Sequence, residues 1–219
     1  MVHIVPRAVL FDFDGTLVDT VRDIAAGANH ALAAQGLPIR DEAYYREAVG
    51  DGAPVLIGRV VPEDRQEMVP AVLDGFREYY PQHMFDTSRP YEGVRSLLAE
   101  LAERHVPMAV LSNKPEEMTQ AMVARLLIDV PFVAVWGQVA HRPKKPDPTA
   151  ALALAAALGV PPADCMLVGD TSVDMKTARR AGMRAIGVPW GFRPVEELMQ
   201  TGAHLVIDQP ADILELVGG

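Results

Sequence analysis

The sequence predicts an α/β protein: a parallel sheet with helices on both faces, carrying a small inserted helical domain. Three observations lead there. From about residue 92 onward, short apolar runs alternate with helical patterns, as in chains of βαβ units. The apolar runs are hydrophobic throughout rather than alternating, as expected of strands covered on both faces. A first such run, "AVLF" at 8–11, is cut off from the rest by residues 19–87, where only helical signals occur.

Taken in order, residues 7–13 read as a buried strand. "TVRDIAAGANHALAAQ", Thr20 to Gln35, reads as a helix with Thr20 as N-cap and Gly36 just beyond its end. "DEAYYREAV", "APVLIGRVV" and "EDRQEMVPAVLDGFREYY" continue the helical pattern to about residue 81, and residues 82–90 read as a linker. Helix "EGVRSLLAELAERH" then precedes strand "PMAVLS", helix 115–127 precedes "FVAVW", and the Ala-rich helix 147–158 precedes "CMLVG". Helix 171–181 leads to "MRAIGV", helix 194–200 to "HLVI", and a last helix covers 210–217. The first strand belongs with this later part. The expected organisation is a Rossmann-like core of residues 1–18 and 88–219 with a helical cap of residues 19–87.

Composition narrows the classes of function. The 219 residues are 49% hydrophobic and 22% charged, ordinary for a globular protein. A formal net charge of −9 argues against general nucleic-acid binding, which needs a basic surface. It leaves room for a small phosphate ligand, because a local cation can reverse the field at one site. No apolar run approaches the roughly 20 residues of a membrane helix, and "MVHIVPRAVL" lacks the layout of a signal peptide. Cys165 is the only cysteine, so no intrachain disulfide forms and the cytoplasm is the expected compartment. The six histidines show no metal-ligand spacing, so zinc is not expected.

Polar residues gather where strands end. The first strand ends in Asp12-Phe13-Asp14-Gly15-Thr16, "MAVLSNKP" in Ser112-Asn113-Lys114, and "CMLVGD" in Gly169-Asp170, with Asp174 four residues on. "RPKKPDP" before helix 147–158 offers Lys144 and Lys145. Ligands of open parallel sheets bind outside the carboxyl ends of the strands, so these clusters point to one site. Bland readings stand beside this one. Asp14-Gly15 suits a turn, Ser112 or Asp170 suits a helix cap, Asp174 suits a first turn, and either lysine suits an exposed loop. Gly50-Asp51-Gly52 reads equally as an interhelical turn or a substrate-facing loop, and Arg59 more simply as a surface or salt-bridged residue. Cys165 reads as core, Trp136 and Trp190 as packing residues near strand ends.

Together, "DFDGT" (12–16), "LSN" (111–113), "KPDP" (145–148) and "GDTSVD" (169–174) resemble, in order and along the whole chain, the motifs of the haloacid dehalogenase superfamily of phosphohydrolases. Within it the chain is most similar to the phosphoglycolate phosphatase group, through "VGDGAPVLIGR", "SNKP" and "WGF…EEL…GAHLVID". The resemblance implies a Mg²⁺-dependent phosphoric monoester hydrolase working through an aspartyl-phosphate. It makes Asp12 the nucleophile, Asp14 the acid/base, and Lys145 the cation that offsets charge on the phosphoryl group. Ser112, Asn113, Gly15 and Thr16 would serve the phosphate. Asp12, the Asp14 carbonyl and Asp170 would hold the metal, with Asp174 behind them. It favours Lys145 over Lys144.

The chemistry is reasonable on physical grounds, since an aspartate approaching a phosphate ester at 4 Å meets a repulsion of about 4 kcal/mol at an effective dielectric near 20, which cations must offset. Dehalogenases of the superfamily lack the second aspartate, so Asp14 favours phosphate chemistry. The leading substrate is 2-phosphoglycolate, a small phosphorylated metabolite over which the cap closes. Gly50, Asp51, Gly52 and Arg59 are the cap's candidate specificity residues. The alternatives are a pyrophosphatase, a sugar-phosphate or nucleotide phosphatase, a β-phosphoglucomutase-like mutase, or a non-catalytic receiver-like scaffold. A monomer or homodimer with no nucleic-acid or membrane partner is expected.

Overall fold

A computed structural model describes residues 6–217; residues 1–5 and 218–219, assigned to the core from sequence, lie outside it. The chain forms two compact units, one of residues up to 18 and from 90 onward, the other of residues 19–89.

The first unit is built on six parallel strands. β1 (Ala8–Phe11) lies at the centre, flanked by β4 (Met108–Pro115) and β6 (Cys165–Gly169). β5 (Ala134–Gln138) lies outside β4, while β7 (Arg184–Gly187) and β8 (Leu205–Val206) continue beyond β6. Every residue of β1 is buried, because it is covered on both faces as well as paired on both edges. Leu10 lies opposite Ala109 on one side and Leu167 on the other. The order β5-β4-β1-β6-β7-β8 reverses direction beside β1, the place where such sheets open a crevice at their carboxyl edge.

Helices α5 (Val94–Glu103), α6 (Glu116–Leu126), α7 (Thr149–Ala157), α8 (Ser172–Ala181), α9 (Val195–Gln200) and α10 (Ile213–Leu216) complete this unit. The alanines of α7 are packing residues. Ala150, Ala151, Leu154 and Ala155 are buried in one cluster with Ala8, Leu10 and Leu167. Cys165 is buried in the same cluster, as its apolar setting implied.

The second unit is helical: α1 (Val21–Ala34), α2 (Glu42–Ala48), α3 (Ala53–Val60) and α4 (Val69–His83). On α1, Val21, Ile24, Ala25, Ala28, Ala31 and Leu32 are buried, the i, i+3, i+4 stripe of an amphipathic helix. Gly27 lets α1 approach α4 closely: a Cβ there would come within 3.2 Å of the Phe76 ring. Two-residue strands β2 (Val18–Asp19) and β3 (Arg89–Pro90) lie where the chain passes between the units and form a separate ribbon. Asp23 anchors the end of the second unit. Its buried carboxylate accepts four groups, the amide and hydroxyl of Thr87 and of Ser88, at 2.6–3.1 Å.

Several sequence boundaries shift. Residues 63–80 are not one helix. Glu63–Met68 is a 3₁₀ segment broken at Arg65 (φ −132°, ψ 25°), and α4 starts afresh with Pro70 in its first turn, where proline is tolerated. At its other end α4 continues through Pro81 to His83, shortening the expected linker. β4 runs on to Pro115, with a register shift between Leu111 and Pro115 that still pairs Pro115 with Gln138. The last helix is a 3₁₀ turn, Pro210–Asp212, followed by α10. Thr20 occupies the N-cap position of α1, but its side chain caps nothing.

Candidate active site

The carboxyl ends of β1, β4 and β6 bring the chemistry-bearing residues of the first unit together. After β1 the chain turns tightly, the Phe13 carbonyl accepting the amides of Thr16, Leu17 and Val18. Gly15 has φ +83°, and a Cβ there would lie 2.2 Å from Asp170 Oδ2. A side chain is therefore excluded both by conformation and by space. Asp12 is fixed by its own neighbour, the Phe13 amide donating to Oδ1 at 2.7 Å.

Carboxylate oxygens of Asp12, Asp170 and Asp174 lie within 4.8 Å of one another, and all three residues are buried. Lys145 is the cation among them. Its Nζ is 2.8 Å from Asp12 Oδ1 and 2.6 Å from Asp174 Oδ1, with the lysine side chain 1% exposed. Asn113 explains why this lysine, not its neighbour, points inward. The Asn113 side chain accepts the Lys145 amide at 2.9 Å and donates to the Lys145 carbonyl at 3.0 Å. Lys144 is exposed.

Asp170 is equally constrained. The Thr16 hydroxyl donates to Oδ1 at 3.0 Å and the Phe192 amide to Oδ2 at 2.8 Å. The loop carrying Phe192 is held in turn by Trp190, whose indole N–H donates to the Thr16 carbonyl at 3.1 Å. Thr171, rather than Asp170, is the N-cap residue of α8. Its amide and hydroxyl both donate to Asp174 Oδ2, at 3.1 and 2.7 Å. Asp174 is thus a capping residue and a member of the cluster at once.

Electrostatically the cluster is short of positive charge. Burial first, then the charge of Asp174, pushes the Asp12 carboxyl well above the usual carboxylate range, while Lys145 pulls the other way. Asp170 is pushed up to about 7, again by burial and then by Asp174, with the Phe192 and Thr16 hydrogen bonds opposing. For Lys145, burial favours the neutral amine, but Asp12 and Asp174 more than reverse this and hold it protonated. Three buried oxygen ligands in excess of the local cation fit a hard metal ion.

Asp14 sits apart from the three, ion-paired to Lys114 at 2.9 and 3.2 Å. Ser112 is buried, its hydroxyl accepting the Lys114 amide at 3.2 Å. In the second unit, Gly50-Asp51-Gly52 joins α2 to α3. Arg59 binds Asp51 Oδ2 at 2.6 Å and the Ala48 carbonyl at 2.7 Å, so its guanidinium braces this loop.

Sequence reasoning missed the Lys114–Asp14 pair, the Asn113 side-chain clamp and the Phe192 amide. "SNK" held two of these in plain view, but neither partner is near in sequence. Trp136 packs as expected and also stacks under Arg142, 4.3 Å from the ring centre. Among the described residues no helix is long and apolar enough to cross a membrane.

Comparison with known proteins agrees with this geometry. The haloacid dehalogenase-like hydrolase family matches residues 9–188. A phosphoglycolate phosphatase from Pectobacterium atrosepticum is 33% identical over 97% of this chain and 92% of its own. An N-acetylmuramic acid 6-phosphate phosphatase from Pseudomonas aeruginosa is 32% identical over 96% of this chain and 94% of its own. A solved structure from Lactobacillus delbrueckii subsp. bulgaricus, provisionally assigned as a phosphoglycolate phosphatase, superposes with a TM-score of 0.92 at 30% identity, covering 98% of this chain and all of the other. With the fold, the aspartate cluster and these relatives in agreement, the chain belongs to the haloacid dehalogenase-like hydrolases.

Proposed function

We propose that the protein is a Mg²⁺-dependent phosphatase of small phosphate monoesters, with 2-phosphoglycolate as its leading substrate. The observation that carries the reading is Asp12 held against Lys145 beside Asp170 and Asp174, with Asp14 two residues on. Asp12, Asp170 and the Asp14 main-chain carbonyl would hold the ion, with Asp174 behind them. When bound, Mg²⁺ supplies positive charge that eases approach of one anion to another.

The chain's own residues account for the rest. Phe13 N–H and Lys145 both engage Asp12 Oδ1, leaving Oδ2 to attack phosphorus. The new O–P bond forms as the ester O–P bond breaks, and Asp14 gives a proton to the departing alcohol oxygen. Water then attacks the aspartyl-phosphate and gives a proton back to Asp14, restoring the enzyme and releasing inorganic phosphate. Lys145 offsets charge on the phosphoryl group throughout. Ser112 and the main-chain amide of Asn113 would bind its oxygens.

Two relatives with different substrates, phosphoglycolate and N-acetylmuramic acid 6-phosphate, are similarly close. The test is therefore a panel of phosphate esters that includes both, with pyrophosphate, sugar phosphates and nucleotides, reading phosphate release with Mg²⁺ and with excess EDTA. The expected result is Mg²⁺-dependent release, greatest for 2-phosphoglycolate, and lower in Asp12→Asn by on the order of a thousandfold or more. Turnover in Asp12→Asn equal to wild type removes Asp12 as nucleophile. Isomerised sugar without free phosphate identifies a mutase.

A further inference from the structure

Lys114 is a buried cation that the mechanism above leaves unused. It lies near the end of β4, its side chain 4% exposed, and its ammonium reaches both oxygens of Asp14 at 2.9 and 3.2 Å. A carboxylate turns freely about its terminal bond, with a broad torsional preference. An ammonium placed across both oxygens removes much of that freedom. The ammonium is itself on a firm base. The Lys114 amide donates to Ser112 Oγ and its carbonyl accepts the Thr119 hydroxyl. The strand end is so tightly packed that a Cβ on Gly137 would fall 2.5 Å from the Lys114 carbonyl oxygen.

We propose that Lys114 is a positioning residue that acts through Asp14, holding its ionised carboxylate in the orientation from which it takes a proton from the attacking water. The proposal rests on the reading of Asp14 as acid/base. Lys114 gives up no proton and forms no bond in the cycle. It differs in kind from Lys145, which faces the nucleophile. Catalytic groups need placement within a fraction of an ångström, so a carboxylate released to rotate loses turnover without losing substrate affinity.

The test is a double-mutant cycle on wild type, Asp14→Asn, Lys114→Met and the double variant. Hydrolysis of p-nitrophenyl phosphate is followed at saturating Mg²⁺, with folding checked by circular dichroism. Lys114→Met is expected to lower kcat roughly ten- to a hundredfold with KM within about twofold. Lys114→Arg, which keeps a cation, recovers part of the loss. In the Asp14→Asn background, removing Lys114 costs nothing further. If the two losses instead multiply, Lys114 acts independently of Asp14 and the proposal is overturned. A rise in KM with unchanged kcat also overturns it, assigning Lys114 to substrate binding. If Asp14→Asn alone keeps the wild-type rate, the acid/base reading has failed, whatever Lys114 does. Should Lys114→Met not fold, Lys114→Gln repeats the same cycle.

Discussion

Lys144 and Lys145 are chemically identical neighbours, and the difference between them comes from Asn113. Two hydrogen bonds from that side chain fix the backbone of Lys145, and the ammonium then lands between Asp12 and Asp174. Lys145→Ala is expected to lower kcat by roughly 10²–10³, the scale of removing one group aimed at developing charge. Lys144→Ala should change it less than twofold; steady-state rates of the two variants give the comparison. Sequence reasoning favoured Lys145 only through the "KPDP" match, because an asparagine 32 positions away carries the physical cause. Asp12 and Asp170 stood out more easily as candidates: each follows an apolar strand directly, where an acid is costly unless used, and Asp14 lies two residues beyond the first. The Lys114–Asp14 contact was invisible because it joins residues 100 positions apart.

Between the strands and the site stand short connecting elements, and they decide how well the acids are held. The loop after β7 contributes no acid, yet its Phe192 amide and Trp190 indole fix Asp170 and the turn after β1. Gly191 lies between them. A Cβ there would fall 2.3 Å from the Asp170 Cβ and 2.4 Å from the Gly15 carbonyl oxygen, and a backbone atom cannot rotate away. Gly191→Ala should therefore cost about 1–3 kcal/mol, the scale of overpacking a tight interior. It should also weaken Mg²⁺ binding, because Asp170 must move. Thermal unfolding and metal titration measure the two effects, and an unchanged metal affinity would show that the loop does not orient Asp170. The same scale explains which elements the sequence revealed. β1 and β6 are continuous apolar runs; β6 was legible to the residue and β1 to within two residues at each end. The extension of β4 to Pro115 was not, because "SNKP" carries no strand signal and its end pairs with β5 only after a register shift. α4 passes Pro81 although proline there forgoes the hydrogen bond to the Arg77 carbonyl; Phe76 and Tyr80 are buried and anchor the helix, and only two residues follow.

For the whole molecule, the division into a six-stranded unit and a helical unit follows from where the first apolar run stands relative to the others, which is why it could be read without coordinates. The stability of that whole carries a consequence of the buried acids. Asp170 has its folded-state value raised from 3.8 to about 7, and Asp12 is raised too. As pH rises from 4 toward 7, the unfolded chain releases these protons before the folded one does. The folded state then holds more protons, so the metal-free protein loses stability from this site across that window. For Asp170 the loss levels off only once the pH has passed its folded-state value of about 7. A bound divalent cation favours the ionised carboxylates and reverses the effect. His204, whose ring is pushed down by burial and then by Arg179 and Arg184, gains stability with rising pH. That contribution is common to the metal-free and Mg²⁺-loaded forms and cancels in their difference. The rise in melting temperature on adding Mg²⁺ should therefore be larger at pH 8 than at pH 5.5, and scanning calorimetry at both values tests it. A rise that is equal at the two pH values, or larger at the lower one, would mean that Asp12 and Asp170 do not hold protons in the metal-free protein, and the cluster would have to be charged without its ion.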